Sequence, residues 1–395
     1  MTGRPIKLTL LAHSMRVGGA EVQFSALARG LDRARFSVTL VSFHEDGALL
    51  DEIRDAGIPV VTVGKRGRGD AAGFLFRIAR AIRATRPDMI YSFLDFPNLV
   101  AALAWPFGAP CPIVWGIRTT DMRLSERGRL WQSIYALQRM VARRADLIIC
   151  NSWAGRQHLI DQRFPSEHMV VVPNGIDTDR FRPRPEIRAE QRRLLGLDEH
   201  DIAIGLVARL DPVKDHRTFL RAAGLLYRHC PNARFVCVGG GSPDFTAELH
   251  AFADSLQLGD RVIWTGTRSD IPELLTAFDI ATLNSAHAEG FPNVVGEAMA
   301  AGLPCVVTDV GDAAMIVDGH GLMAPIGDAE ALAQAWRQLV DGGAHERRRR
   351  GDAARKRIVD EFPLQAMIDR TADQLLPLVQ HKAPLTAGLY GQAGD

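Results

Sequence analysis

Short apolar runs that alternate with stretches of helical periodicity constrain this chain more than any other feature. Seven fall in the first half: Ile6–Leu11, Phe36–Phe43, Ile58–Val63, Asp88–Leu94, Pro112–Ile117, Asp146–Cys150 and Met169–Val172. Six follow: Ile202–Val207, Ala233–Val238, Arg261–Thr265, Asp279–Leu283, Pro304–Thr308 and Gly321–Met323. Runs of this kind suit strands buried on both faces, and their alternation with helices predicts parallel sheets covered on both sides. Two such series predict an α/β protein with two doubly wound domains. The boundary is predicted in Pro173–Glu186, where Pro, Arg and Asp interrupt the periodicity. Ligands of open parallel sheets bind beyond the carboxyl ends of the strands. With two domains facing each other, the predicted site is the cleft between them.

A length of 395 residues suits two cores. The formal charge of +1 argues against bulk nucleic-acid binding. The charge is unevenly spread: residues 1–180 carry 24 Lys+Arg against 17 Asp+Glu, and the remainder carries an acidic excess. A basic first half predicts an anionic partner on that side. The cysteines at 111, 150, 230, 237 and 305 form no C-x-x-C pair, and several lie in strand-like runs. Buried thiols in a reducing cytosol are expected. The first apolar run is too short for a secretory signal, and Met89–Ile117 is too interrupted by Asp95 and prolines for a membrane span.

Candidate chemistry concentrates in Asn284–Gly302, NSAHAEGFPNVVGEAMAAG. It follows a predicted strand and reads as loop, then helix, with Pro292 suited to a first helical turn. Glu289 falls in the loop and Glu297 more than one turn into the helix. The run Gly290, Phe291, Pro292, Asn293 and Val294 is a candidate donor-binding segment: apart from Pro292, which has no N–H, the free N–H groups around Phe291 to Val294 offer a site for an anion. Glu297 can accept hydrogen bonds from vicinal ribose hydroxyls, and Glu289 can reach a hexose. The plain alternative is a surface loop and an amphipathic helix. The block resembles the E-x7-E signature of retaining glycosyltransferases, and EGFPNVVGEAMAAGLP is similar to the form found in glycosyltransferase family 4. That resemblance implies the GT-B architecture, two Rossmann-like domains facing a central cleft.

Other blocks extend the resemblance. Gly18-Gly19-Ala20-Glu21 opens a helix after the first strand. In isolation it is a tight turn; in the family, such a loop closes over the donor phosphates. Arg209 and Lys214 lie in VARLDPVKD, similar to the family's G-R-L-x-x-x-K-G block, whose Arg and Lys bind diphosphate; Ala208 and Asp215 replace the usual glycines. Without that likeness, the two cations are equally well read as a solvated pair with Asp211 and Asp215. Gly239 sits in a V-G-x-G turn, and Arg268 follows a strand where the family's backbone meets the base. Arg118 stands near where many relatives carry a His facing the sugar, so the acceptor-side chemistry is open. Asp95 and Asn98 are further acceptor-side candidates, or plain helix caps. Asp177-Thr178-Asp179 matches a metal-holding D-x-D pattern, but it lies in a family linker block and reads as a turn. No metal or other cofactor is expected.

The resemblance implies residues 1–175 as the acceptor-side domain and 176–362 as the donor-nucleotide domain. A helix over 363–380 crosses back to the first domain, and a disordered tail is predicted over 381–395. The implied activity is retaining hexosyl transfer from a UDP- or GDP-sugar to a lipid-linked or cell-surface glycan. A nucleotide-sugar epimerase or hydrolase of the same fold, and a non-catalytic nucleotide-sugar-binding protein, are the alternatives. Two helical stretches, one with Arg77, Arg80, Arg83 and Arg86 and one ending in Arg139, Arg143 and Arg144, interleave cations with aromatic and aliphatic residues. They cover a sheet or, alternatively, touch an anionic membrane from the cytoplasmic side.

Overall fold

The computed structural model describes residues 4–64, 69–108, 110–118 and 129–380. The tail expected to be disordered, 381–395, lies outside the described residues. The first sheet contains β1 (Ile6–Ala12), β2 (Phe36–Ser42), β3 (Val60–Thr62), β4 (Met89–Phe93), β5 (Ile113–Ile117), β6 (Leu147–Cys150) and β7 (Met169–Val171). Their order is β3-β2-β1-β4-β5-β6-β7. The second contains β8 (Ile202–Val207), β9 (Ala233–Val238), β10 (Val262–Gly266), β11 (Ile280–Leu283), β12 (Cys305–Thr308) and β13 (Leu322–Ala324), in order β10-β9-β8-β11-β12-β13. All pairings within both sheets are parallel.

Burial on both faces explains the near-continuous apolar strands. Every residue of β4, β5, β6, β11 and β12 is buried. In the first sheet, Leu8, Leu10 and Phe24 pack on one face, and Leu11, Ile90 and Trp115 on the other. The strand order reverses between β1 and β4, and again between β8 and β11. Loops leaving those four strands therefore border the two switch points, where side chains can converge on a ligand.

The chain returns to its first half at the end. Ile176 N–H donates to the Phe362 carbonyl at 2.8 Å, and Leu364 N–H to the Ile176 carbonyl at 2.9 Å. Helix Leu364–Gln380 then buries Met367, Ile368, Ala372 and Leu375 in the core beneath β1. Gly30 permits this approach: a Cβ there would lie 2.3 Å from Ile368 Cδ1.

Candidate active site

The loop after β11 leads into helix Asn293–Ala300. Pro292 is not in the first turn, as its ring geometry suggested, but one residue ahead as the N-cap, with ψ 97° in the extended region. Its carbonyl accepts the Val295 N–H at 3.0 Å. Glu297 lies more than one turn in and is half-buried. Burial pushes its pKa from 4.5 to about 7, against a smaller opposing pull from Arg180. A carboxyl in that state becomes a strong acceptor once ligand hydroxyls stabilise its charge.

Glu289 and Lys214 meet across 75 residues of sequence. The Lys214 ammonium donates to Glu289 Oε1, and Ser285 Oγ donates to the same oxygen at 2.6 Å. The loop is held in place by Ala286 N–H, which donates to the Val213 carbonyl at 2.8 Å, and by Asn284 Nδ2, which donates to the Asp215 carbonyl at 2.7 Å. Ala288, just before Glu289, is left-handed at φ 61°, a costly conformation for an L side chain that turns the chain sharply. Asp215 is also left-handed at φ 48°, and its carboxylate caps helix His216–Tyr227 through Thr218 N–H at 3.2 Å. That accounts for Asp where a glycine is usual, since Asp tolerates this region and supplies a cap.

Sequence reasoning missed His216. It is wholly buried beside Lys214, and both ring nitrogens lack a hydrogen-bond partner. Burial and then the Lys214 charge push its pKa down to about 4, against Asp211, so the ring is neutral at pH 7. Asn284 Oδ1 and His287 Nδ1 are also buried without partners on the Glu289 loop. Buried unpaired polar atoms are expensive, and their clustering here is the signal a sequence cannot carry.

Arg209 does not join Lys214 and Glu289. Its side chain is 78% exposed and faces Asp211 at 3.5 Å. It borders a hollow of about 630 Å³ with Gly240, Gly241, Phe245 and Thr267. Gly239 is required beside it: φ is +149°, and a Cβ would come within 2.0 Å of the Ala208 carbonyl oxygen. Arg268 follows β10, and its guanidinium is engaged by Asp270 through two hydrogen bonds, at 2.8 and 2.5 Å.

The first half meets this site at Gly19. Gly18 precedes helix Gly19–Gly30 and leaves room for the Glu21 carboxyl, whose pKa burial raises. Asn293 bridges the halves: Nδ2 donates to the Gly19 carbonyl at 3.2 Å, and Oδ1 accepts from Asn174 Nδ2 at 2.7 Å. Val294 follows it in the first turn and is half-buried. Arg118, an acceptor-side candidate, is 7% exposed. It donates to Asn174 Oδ1 at 3.0 Å and Tyr91 Oη at 3.1 Å, and lies 4.1 Å over the Phe93 ring. Its terminal nitrogens are thus engaged with the protein. Asn98 is fully buried, accepting from Ser92 Oγ at 2.7 Å and donating to the Gly116 carbonyl at 3.1 Å. It ties β4 to β5 and does not line the cleft. Asp95 opens helix Asp95–Ala104 and accepts from Gln138 Nε2 at 3.3 Å.

The carboxyl ends of β1, β2 and β4 also carry rings that pattern reading passed over. His13 lies 4.8 Å from His44 and 5.7 Å from Phe96, and Phe96 meets Phe43 edge-on at 5.7 Å. Leu94, between β4 and Phe96, has φ 73° and ψ 165°, a region normally left to glycine. Asp177 closes a turn, accepting from Asp179 and Arg180 N–H at 3.2 and 2.9 Å. Among the described residues no group of three or more His, Cys, Asp or Glu side chains could hold a metal ion.

Comparison with known proteins follows the same lines. The sequence profile described as Glycosyltransferase Family 4 matches residues 17–180, and that described as Glycosyl transferases group 1 matches residues 201–342. A GDP-mannose-dependent alpha-mannosyltransferase of Mycobacterium tuberculosis is 30% identical over 296 residues, covering 72% of this chain and 71% of that protein. The chain belongs to glycosyltransferase family 4. This glycosyltransferase is also 23% identical over 319 residues to the UDP-Gal:alpha-D-GlcNAc-diphosphoundecaprenol alpha-1,3-galactosyltransferase of Escherichia coli, covering 78% of this chain and 80% of that one. Its structure superposes on Anabaena HepE in complex with UDP-glucose with a TM-score of 0.84 at 26% identity, over 94% of this chain and all of that one. The two facing sheets are the GT-B architecture.

Proposed function

We propose that this glycosyltransferase moves a hexose from a UDP- or GDP-sugar to an acceptor hydroxyl with retention at the anomeric carbon. The proposed acceptor is a lipid-linked or growing cell-surface glycan. The observation that carries this reading is the Lys214–Glu289 contact beside the helix that bears Glu297. In the proposed complex, Glu297 accepts from the ribose hydroxyls and the first-turn N–H groups receive phosphate. Lys214 exchanges its carboxylate partner for the departing diphosphate, releasing Glu289 to the hexose. Arg209 swings from Asp211 to the outer phosphate. Gly239 and the backbone at Arg268 border the base, and Gly18 and Gly19 close over the phosphates.

Charge on the leaving group is met by these cations and the helix end, so the proposed reaction needs no metal. Displacement occurs on the front face, with the donor phosphate assisting removal of the acceptor proton. The E. coli relative acts on a diphosphoundecaprenol-linked sugar, which supports a lipid-linked acceptor. Among the described residues no helix is long and apolar enough to cross a membrane. Helices Ala71–Thr85 and Arg129–Val141 both flank helix Asp95–Ala104, and expose Phe76, Trp131 and Met140 with Arg80, Arg83 and Arg139. Those exposed rings and cations support peripheral contact with anionic lipid on the cytoplasmic side of the membrane.

A panel of UDP- and GDP-sugars, incubated with and without undecaprenyl-linked acceptors, tests the reading. Transfer that depends on acceptor, with the donor's anomeric configuration retained by NMR, is the expected result. An inverted product refutes retention. Free sugar released equally with and without acceptor makes the protein a hydrolase.

A further inference from the structure

Helix Trp153–Asp161 in the first half is completed by a residue of the second. Ser152 Oγ accepts from the Gly155 N–H at 3.0 Å, an ordinary local cap. The two amides ahead of it are met by Asp312: Trp153 N–H donates to Oδ2 at 2.8 Å and Ala154 N–H to Oδ1 at 2.9 Å. Both carboxylate oxygens are thus spent on the positive end of a helix some 158 residues away in sequence, and Asp312 is only 4% exposed.

The same residue holds the catalytic loop. Asp312 N–H donates to the Gly290 carbonyl at 2.9 Å, one residue after Glu289. Gly311, left-handed at φ 60°, lies under that peptide: a Cβ there would be 2.5 Å from the carbonyl oxygens of both Glu289 and Gly290. Gly290 in turn leaves room for the other half, since its Cβ would lie 2.8 Å from Asn151 Oδ1. Side chain and backbone of one residue therefore touch opposite walls of the cleft.

We infer that Asp312 is an interdomain latch: its carboxylate grips helix Trp153–Asp161 while its amide holds the Glu289–Gly290 peptide, so that docking of the halves sets the position of Glu289. It is a positioning residue and touches no reacting atom. The inference rests on the proposed role of Glu289, but the latch itself is measured without substrate.

Hydrogen exchange of the ligand-free protein reads it directly. First-turn helix amides have no intrahelical acceptor, so protection of Trp153 and Ala154 has to come from Asp312. The wild type is expected to protect both, and Asp312→Asn to lose that protection by about 10- to 100-fold, the worth of hydrogen bonds to a charged group. Gly155, capped by Ser152, serves as the internal control and keeps its protection if the variant is folded. Asp312→Asn is further expected to lower kcat by a similar factor while nucleotide affinity, carried mainly by the second half, stays within about twofold, and Asp312→Glu to recover part of the protection. Exchange of Trp153 and Ala154 at the free-peptide rate in the wild type overturns the latch. Lost protection with unchanged kcat overturns its coupling to Glu289. A panel without any transfer activity refutes the enzyme reading and leaves the exchange result standing.

Discussion

The raised pKa of Glu297 turns the proposed ribose contact into a measurable pH dependence. Ribose hydroxyls donate to a carboxylate, so the ionised form binds and the protonated form does not. With a pKa of about 7 in the free protein, roughly one molecule in ten is ionised at pH 6 and roughly nine in ten at pH 8. The dissociation constant of an intact nucleotide sugar should therefore tighten about tenfold between those pH values. A nucleotide sugar is the right ligand because its diphosphate is esterified at both ends and does not titrate there. Glu297→Gln should flatten the profile. Stability runs the opposite way. Between pH 4.5 and about 7 the unfolded chain ionises this group while the folded chain keeps its proton. Native stability falls across that window, by up to about 3 kcal/mol, and stays reduced above it. Glu297→Gln should accordingly raise the Tm at pH 8 and leave it unchanged at pH 4.5. Calorimetric titrations and thermal unfolding at four pH values are sufficient. A flat wild-type binding profile, or an equal slope in the Gln variant, refutes the assignment.

Lys214→Ala should lower kcat by roughly 10²–10³-fold and weaken nucleotide binding far less, because its charge is needed most as the diphosphate departs; unchanged turnover removes that role. Asn98→Ala should cost about 1–3 kcal/mol for each polar group it orphans, with kcat/KM of the folded protein intact; a selective rise in acceptor KM would restore Asn98 to the cleft. Gly239→Ala should destabilise by more than about 1 kcal/mol in denaturant unfolding, since φ is positive and the Ala208 carbonyl occupies the space. Flotation with anionic liposomes should carry the protein upward at low salt and release it at high salt; absence of binding at low salt removes the membrane contact.

Strands were legible because burial on both faces leaves little room for polar residues. Ile202–Val207 and Ala233–Val238 are observed with the boundaries read from the pattern. Ile58–Val63 was too long: only Val60–Thr62 pairs, at an edge where one neighbour is missing. The Glu289 and Lys214 blocks were legible separately, as loops at strand ends, and the reversal of strand order brings them together. The depth of Arg118 was not legible, because it is set by Tyr91 and Phe93 on the neighbouring strand. Asn98 was uncertain for the same reason, its partners being a strand hydroxyl and a carbonyl. Asp312 meets backbone amides, which leave no mark in a sequence, and His216 is defined by partners it lacks.

The return of the last helix to the first sheet has a consequence for synthesis. Met367, Ile368 and Leu375 complete an apolar layer begun by Leu8 and Leu10. A ribosome must emit the chain through helix Leu364–Gln380 before that layer can close. Until then the earliest-made strands keep an uncovered oily surface, while the later-made half already has its own layers. A stop codon ahead of residue 364 would thus injure the beginning of the molecule more than its end.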